Sequence, residues 1–277
     1  MLPIYHLLPP RLREKIVKEI LVSLGIGSGS GVETSGERAV LELLNKKSQS
    51  LCIFDVGANV GKYLQLCTSV FTPPPPPQLN KTQYAIDIHC FEPSTFTFAK
   101  LNETAKLCNA PHIHITLNNC ALSNTQGNAT LYYDTQGSGL ASLSKRRLEH
   151  FQIDFKESEE IQTMRLSSYC KEREITHIHL LKLDVEGYEL NVLESAKTLF
   201  EAKAIDMVCF EFGGCNIDTR SFFQDFWYFF KAYNFSLYRI LPNSTFLHIK
   251  SYKEIYEQFT TTNYLACASE VAMDIGQ

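Results

Sequence analysis

Residues 51–63 read LCIFDVGANVGKY. The apolar run Leu51–Phe54 is short and continuous, then stops at Asp55 and Gly57. That is the pattern of a strand covered on both faces that ends in a tight turn. NVGKYLQLCTSVF at 59–71 continues with helical spacing. The pair predicts one β-α unit of a parallel sheet, and the same rhythm recurs along the chain. AIDIHCFEP at 85–93 reads as a strand, STFTFAKLNETAKLC at 94–108 as a helix capped by Ser94 or Thr95, and HIHITLNNCALS at 112–123 as a third strand. ITHIHLLKLDVEG at 175–187 and AIDMVCFEF at 204–212 are buried strands on either side of a helix, YELNVLESAKTLFEAK at 188–203. NFSLYRIL at 234–241 and TNYLACAS at 262–269 are the last two strands, and GERAVLELLNKKS at 36–48 is an amphipathic helix upstream of the first. Such alternation implies an α/β fold with helices on both faces and right-handed crossovers.

Between about 125 and 175 the rhythm changes. GNATLYYD at 127–134 and SGLASLS at 138–144 read as short strands around a Gly/Ser turn, and 145–174 as a polar excursion with one strand and a short helix. We expect this insertion to shape an acceptor pocket. DTRSFFQDFWYFFKAY at 218–233 is an aromatic helix, read as buried on the sheet rather than as a dimer or stacking surface. Pro73–Pro77 reads as a stiff loop between helix and strand rather than a recognition motif.

The N-terminus is a separate piece. Leu12, Ile16, Ile20 and Leu24 fall four apart, while Arg11, Arg13, Lys15 and Lys18 lie mostly off that stripe. A membrane-surface or partner helix is one reading. A helix packed on its own domain or in a homodimer is the one preferred here, with GIGSGSG at 25–31 as a hinge. Residues 1–36 are therefore set apart as an extension and linker, and 37–277 as the main domain. Neither a signal peptide nor a transmembrane segment is expected.

The 277 residues carry a net charge of −4, with 44% hydrophobic and 20% charged residues, which excludes a disordered or collagen-like chain. That charge gives no general electrostatic reason to bind nucleic acid. The nine cysteines form no C-x-x-C pair. They read as buried thiols of a reducing cytoplasm rather than zinc ligands or disulfides.

In a parallel α/β sheet the ligand lies beyond the carboxyl ends of the strands. Asp55 closes the first strand, and Gly57 and Gly61 let the backbone turn and approach a ligand; Ala58 and Asn59 stand where a dinucleotide cradle would have its middle glycine. Asp55 suits a ligand with hydroxyls or a cation. Glu92 closes the second strand and can accept both hydroxyls of a ribose, its alternative being a helix N-terminal acid. Asn119 closes the third and can face a base, with the small Cys120 and Ala121 beside it. Lys182, Asp184, Glu186 and Glu189 crowd the fourth, and Glu211 closes the fifth. So many acids at strand tips are costly unless solvated or used.

These tips resemble the class I S-adenosylmethionine-dependent methyltransferases, and within them the FkbM family. The resemblance rests on DVGANVGKY at 55–63, FEPS at 91–94, NCALSN at 119–124, LLKLDVEGYELNVLESA at 180–196 and FEFGG at 210–214. It covers roughly residues 50–270. One departure is Ser167, which stands where the family often has an acid.

The resemblance implies a Rossmann-like seven-stranded, mostly parallel sheet whose last strand is antiparallel. It implies S-adenosylmethionine as cofactor and S-adenosylhomocysteine as product. Gly57 and Gly61 would line the methionine part, Asp55 and Asn59 bind its polar groups, Glu92 hold the ribose, and Asn119, Cys120 and Ala121 the adenine. The expected reaction is O-methylation of a sugar, glycan or small-metabolite hydroxyl. Such a hydroxyl needs a base, for which Asp184, Glu186 and Glu211 are the candidates. Glu186 is favoured, with Asp184 toward the cofactor, Lys182 a structural partner and Glu189 a helix cap. A cation between Asp184 and Glu211 is considered and not adopted, and the histidines at 89, 112, 114, 177 and 179 read as strand filler. The competing readings are a nicotinamide-dependent oxidoreductase and a non-catalytic nucleoside-binding scaffold.

Overall fold

The structure is a computed structural model that describes residues 8–29, 31, 35–47, 49–72, 84–108 and 110–272. The proline run 73–77 lies outside them. The eleven strands are β1 (Leu51–Val56), β2 (Ile86–Phe91), β3 (Ile113–Asn118), β4 (Ala121–Leu122), β5 (Gly127–Tyr133), β6 (Glu157–Met164), β7 (Ile178–Leu183), β8 (Ile205–Phe212), β9 (Phe235–Ile240), β10 (Phe246–Ile249) and β11 (Thr262–Ala268). The helices are α1 (Pro10–Ser23), α2 (Arg38–Lys46), α3 (Lys62–Phe71), α4 (Thr95–Leu107), α5 (Leu166–Glu172), α6 (Glu189–Ser195), α7 (Lys197–Glu201), α8 (Cys215–Thr219) and α9 (Phe223–Ala232).

One sheet runs β10-β9-β11-β8-β7-β1-β2-β3, and a small one runs β4-β6-β5. Strands β3, β2, β1, β7 and β8 are mutually parallel, and β11 lies antiparallel between β8 and β9. The order reverses at β1, where β2 lies on one side and β7 on the other. That is the switch point at which α/β sheets bind ligands.

Side chains alternate across the sheet, so each strand feeds two cores. Ile53, Ile88, Leu180, Met207 and Leu265 meet Leu41, Leu64 and Leu101 of α2, α3 and α4. Their neighbours Phe54, Phe91, Leu181, Val208 and Ala266 meet Tyr169, Leu193, Phe200 and Phe226 of α5, α6, α7 and α9. The aromatic helix is buried through Phe223, Phe226 and Phe230. All nine cysteines are free, seven of them buried. No described helix is long and apolar enough to cross a membrane.

The sheet has eight strands rather than seven. The extra one, β10, forms a hairpin with β9, closed by the Leu241 N–H on the Thr245 carbonyl (2.9 Å) with Ser244 at φ 64°. The third strand divides in two: the Asn119 amide donates to the Glu92 and Pro93 carbonyls (2.9 and 3.0 Å), the chain turns, and β4 joins the small sheet. SGLASLS is no strand. It makes only the bridge Tyr132–Ser142. The helix expected at 188–203 breaks at Ala196 into α6 and α7.

The N-terminal helix forms as expected; none of its side chains is fully buried, while Arg13, Leu21 and Val22 are half-buried. The glycine run behind it, read as a hinge, is held: the Gly27 and Gly29 N–H groups both donate to the Thr261 carbonyl (2.9 and 3.4 Å).

Candidate functional site

The turn after β1 is fixed by its neighbours. Gly57 has φ 84°, and a Cβ there would fall 1.8 Å from the Asp184 carbonyl oxygen, so the close approach is to the end of β7. Asn59 follows in the left-handed region (φ 49°), and its N–H donates to Glu92 Oε2 (3.0 Å). Glu92 Oε1 accepts from the Ser94 N–H (2.9 Å). Ser94 makes no side-chain cap of α4; Glu92 and Glu159, the latter on the Thr95 N–H at 3.2 Å, take that role. Burial pushes the Glu92 carboxyl up to about 7, against the opposing pull of those two N–H groups.

Seven sequence-predicted residues come together around one slot: Gly57, Asn59, Glu92, Cys120, Ala121, Asp184 and Glu186. Phe91, Thr97, Leu122 and Tyr188 complete its walls, and Ser138–Leu143 lies across it, leaving about 70 Å³ free. Three predicted cofactor residues are elsewhere. Asp55 is fully buried beneath the slot, Gly61 packs α3 on Thr104 and Leu101 of α4, and the Asn119 amide is occupied at Glu92 and Pro93. They support the wall rather than form it.

A larger cavity of about 910 Å³ adjoins the slot through Gly57, Asn59, Gly139, Asp184 and Glu186. Its floor follows from period two on adjacent strands: Asp55, Lys182, Asp184 and Glu211 share the face covered by α2 and α3. The Lys182 ammonium lies 3.2 Å from Asp55 Oδ1, 3.4 Å from Asp184 Oδ2 and 5.1 Å from the Tyr63 ring centroid. Burial alone would lower the Lys182 pKa; Asp55, Asp184 and Glu37 reverse that and hold it well above the usual value. Lys182 is thus the structural partner expected.

Glu186, with φ 51°, points its Oε2 at Arg146 Nη1 (2.5 Å), and Arg146 Nε lies 3.5 Å from Asp218. Burial, then the nearby Asp184, raises the Glu186 carboxyl to about 8 despite Arg146. Glu189, expected as a helix cap, makes no side-chain cap of α6 and instead braces the turn before it: its Oε1 accepts from the Val185 and Gly187 N–H groups (3.0 and 3.2 Å). Glu211 differs from the others. It lines the large cavity, and its side chain has no hydrogen bond or ion pair among the described residues. Burial and the carboxylates of Asp184, Glu186, Glu189 and Glu37 push its pKa well up.

Two cavity residues have no counterpart in the sequence reading. Arg146 comes from the polar excursion. Glu37, just before α2, is buried against the same floor, with Oε2 2.8 Å from Ser35 Oγ. The acid at a helix start was its only sequence signal.

Among the described residues one group, His177, His179 and Asp206, brings three metal-capable atoms within 4.8 Å of one another. It lies at the opposite end of β7 and β8 from the cavities. His177 Nε2 bonds Asp206 (2.9 Å), and His179 Nδ1 accepts the Cys52 N–H (2.9 Å), which puts the His179 proton on Nε2. A ring in that tautomer has no free lone pair for a metal.

Several solved structures align with the chain. The methyltransferase FkbM from Methylobacillus flagellatus KT aligns with a TM-score of 0.44 and 13% identity, covering 79% of this chain and 44% of that one. A small RNA methyltransferase gives 0.40 and 13%, covering 85% and 25%. Magnesium protoporphyrin IX methyltransferase from Synechocystis PCC 6803, solved with S-adenosylmethionine, gives 0.37 and 13%, covering 92% and 97%. The chain thus spans less than half the length of the first two. No curated protein matches it. The methyltransferase FkbM domain, however, matches residues 55–237, a span that holds Asp55, Glu92, Asn119, Asp184, Glu186 and Glu211, and the chain belongs to that family.

Proposed function

We propose that the protein is a methyltransferase that moves a methyl group from S-adenosylmethionine to a hydroxyl of a small-molecule or glycan acceptor. The observation that carries this is Glu92. Its two oxygens are held by one backbone N–H each, and each keeps a lone pair for a ribose hydroxyl at the rim of the slot. Cys120 and Ala121 are small enough to flank an adenine, and Gly57 and Asn59 lie on the methionine side. Asn119 acts by fixing the turn at Glu92. A nucleoside needs several hundred Å³, so Ser138–Leu143 moves outward when one binds.

Held by Glu92, Gly57 and Asn59, S-adenosylmethionine would supply an electrophilic methyl carbon on a positively charged sulfur and leave as S-adenosylhomocysteine. The chain aligns the two partners and excludes water. The acceptor occupies the larger cavity, and its hydroxyl proton passes to Glu211. Asp184 and Glu186 also line that cavity, but Lys182 and Arg146 engage them. Carboxyl groups facing the cavity pair well with hydroxyls, which supports a polyhydroxyl acceptor.

Calorimetry with S-adenosylhomocysteine tests the binding step. Micromolar affinity is expected, weakened about tenfold or more in Glu92→Ala, the loss of hydrogen bonds to a charged acceptor. No heat from the wild type overturns the reading, and an NADH fluorescence titration that saturates instead favours an oxidoreductase. Radiolabelled methyl transfer to a saccharide panel then tests the reaction.

A further inference from the structure

Among the described residues α1 is the only α-helix with no buried side chain. Its C-terminal end is fixed to the body: Arg239 Nη1 donates to the Leu24 carbonyl (3.2 Å) and Ile26 is buried. A groove of about 660 Å³ is lined from α1 by Arg13, Glu14, Val17, Lys18, Leu21 and Val22 and closed by Ile26 and Thr260. Leu12, Ile16 and Ile20, each one turn from the next, form an outward strip exposed by 43%, 39% and 53%. Arg11 and Lys15, four residues apart, flank that strip on one side, while Lys18 lines the groove. Glu19 is the one acid beside the apolar strip, one turn from Lys15.

The charge is unevenly placed. Residues 1–24 hold four basic and two acidic side chains, a net +2, against −4 for the whole chain, so the body carries −6. The ten residues before Arg11 have no acid and six apolar side chains, Met1, Leu2, Ile4, Tyr5, Leu7 and Leu8. An apolar strip with cationic flanks at one end of an acidic molecule fits a surface that is oily below and anionic above.

We propose that α1 docks the protein on an anionic phospholipid bilayer, with Leu12, Ile16 and Ile20 in the acyl boundary and Arg11 and Lys15 among the headgroups.

The test is sedimentation of the full chain with sucrose-loaded vesicles. Pelleting is expected with phosphatidylcholine–phosphatidylserine vesicles and much less with phosphatidylcholine alone. Ile16→Glu with Ile20→Glu abolishes it, and Arg11→Gln and Lys15→Gln each weaken it about fivefold at low salt. A thermal melt of each variant, unchanged because the substituted side chains are exposed, shows that the body is intact. Failure to pellet with the anionic vesicles overturns the proposal, and so does equal pelleting of the glutamate variant. A dimer by light scattering that the glutamate variant disperses, with vesicles left unbound, overturns it in favour of a second copy.

Discussion

Asp55 and Lys182 are direct register partners on β1 and β7, and their charged groups lie 3.2 Å apart with the carboxylate fully buried. The pair joins the strands on either side of the point where the sheet reverses order. Lys182→Met leaves Asp55 buried without its cation. We expect a loss of about 3–5 kcal/mol, the cost of breaking one side of a buried ion pair. The double variant Asp55→Asn with Lys182→Met should recover part of it. Urea denaturation followed by circular dichroism measures both, and a single variant as stable as wild type would refute the buried-pair account.

Stability should fall as pH rises through neutrality. Glu92 and Glu189 are raised to about 7 and Glu186 to about 8, by burial first in each case. The unfolded chain loses these protons near the ordinary value of about 4.5, while the folded chain keeps them until 7 or 8. Between those limits the folded state binds more protons, so each group contributes a slope of up to about −1.4 kcal/mol per pH unit. The melting temperature of the ligand-free protein should be higher at pH 5.5 than at 8.5. Glu189→Gln, which keeps the neutral form at all pH, should flatten the curve. A melting temperature that climbs over this interval would contradict the shifts.

Much of the sheet was legible because buried parallel strands leave uninterrupted apolar runs that stop at a charged tip. The slot was legible for the same reason, since Glu92, Cys120, Ala121 and Asp184 each follow such a run. What escaped depends on neighbours rather than on local pattern. Asp55 looks like a tip residue, yet its partner 127 residues later draws it into the floor. Gly57 looks like a ligand cradle, yet the nearest obstacle is the Asp184 backbone. Glu186 looks like the freest acid of its motif, and the Arg146 that engages it comes from an excursion with no strong periodicity. The β10 strand, FLHI, is too short and half-exposed to stand out from a loop.

The glycines of the site separate backbone need from ligand need. Gly57→Ala places a methyl group 1.8 Å from a carbonyl oxygen at φ 84°. Strand β7 would have to move, so the variant should be insoluble or unfold several degrees lower. Gly139 also borders both cavities, but its Cβ would meet only the Asn59 amide at 3.5 Å. Gly139→Ala should keep the wild-type melting temperature, and any change it brings should be in cofactor affinity by calorimetry. Equal melting temperatures for both variants would show that the turn after β1 relaxes freely.

Which acid takes the acceptor proton can be decided by pH profiles once an acceptor is in hand. A base must be ionised and unengaged when the hydroxyl arrives. Asp184 is shared with Lys182 at 3.4 Å, and Glu186 is held by Arg146 at 2.5 Å, so proton uptake by either would weaken an existing ion pair. Glu211 has no such partner, and the surrounding carboxylates raise its proton affinity toward that of a useful base. Activity should therefore be low in mild acid and climb with pH as Glu211 ionises. Glu211→Gln should lower kcat by about 10²-fold or more, remove that rise, and leave the calorimetric affinity for S-adenosylhomocysteine within about twofold. Glu186→Gln should act differently. It loosens Arg146 and hence the loop that spans the slot, so cofactor affinity should change while the rise with pH persists. If Glu186→Gln instead flattens the profile and Glu211→Gln does not, the proton goes to Glu186 and the ion pair with Arg146 opens during turnover.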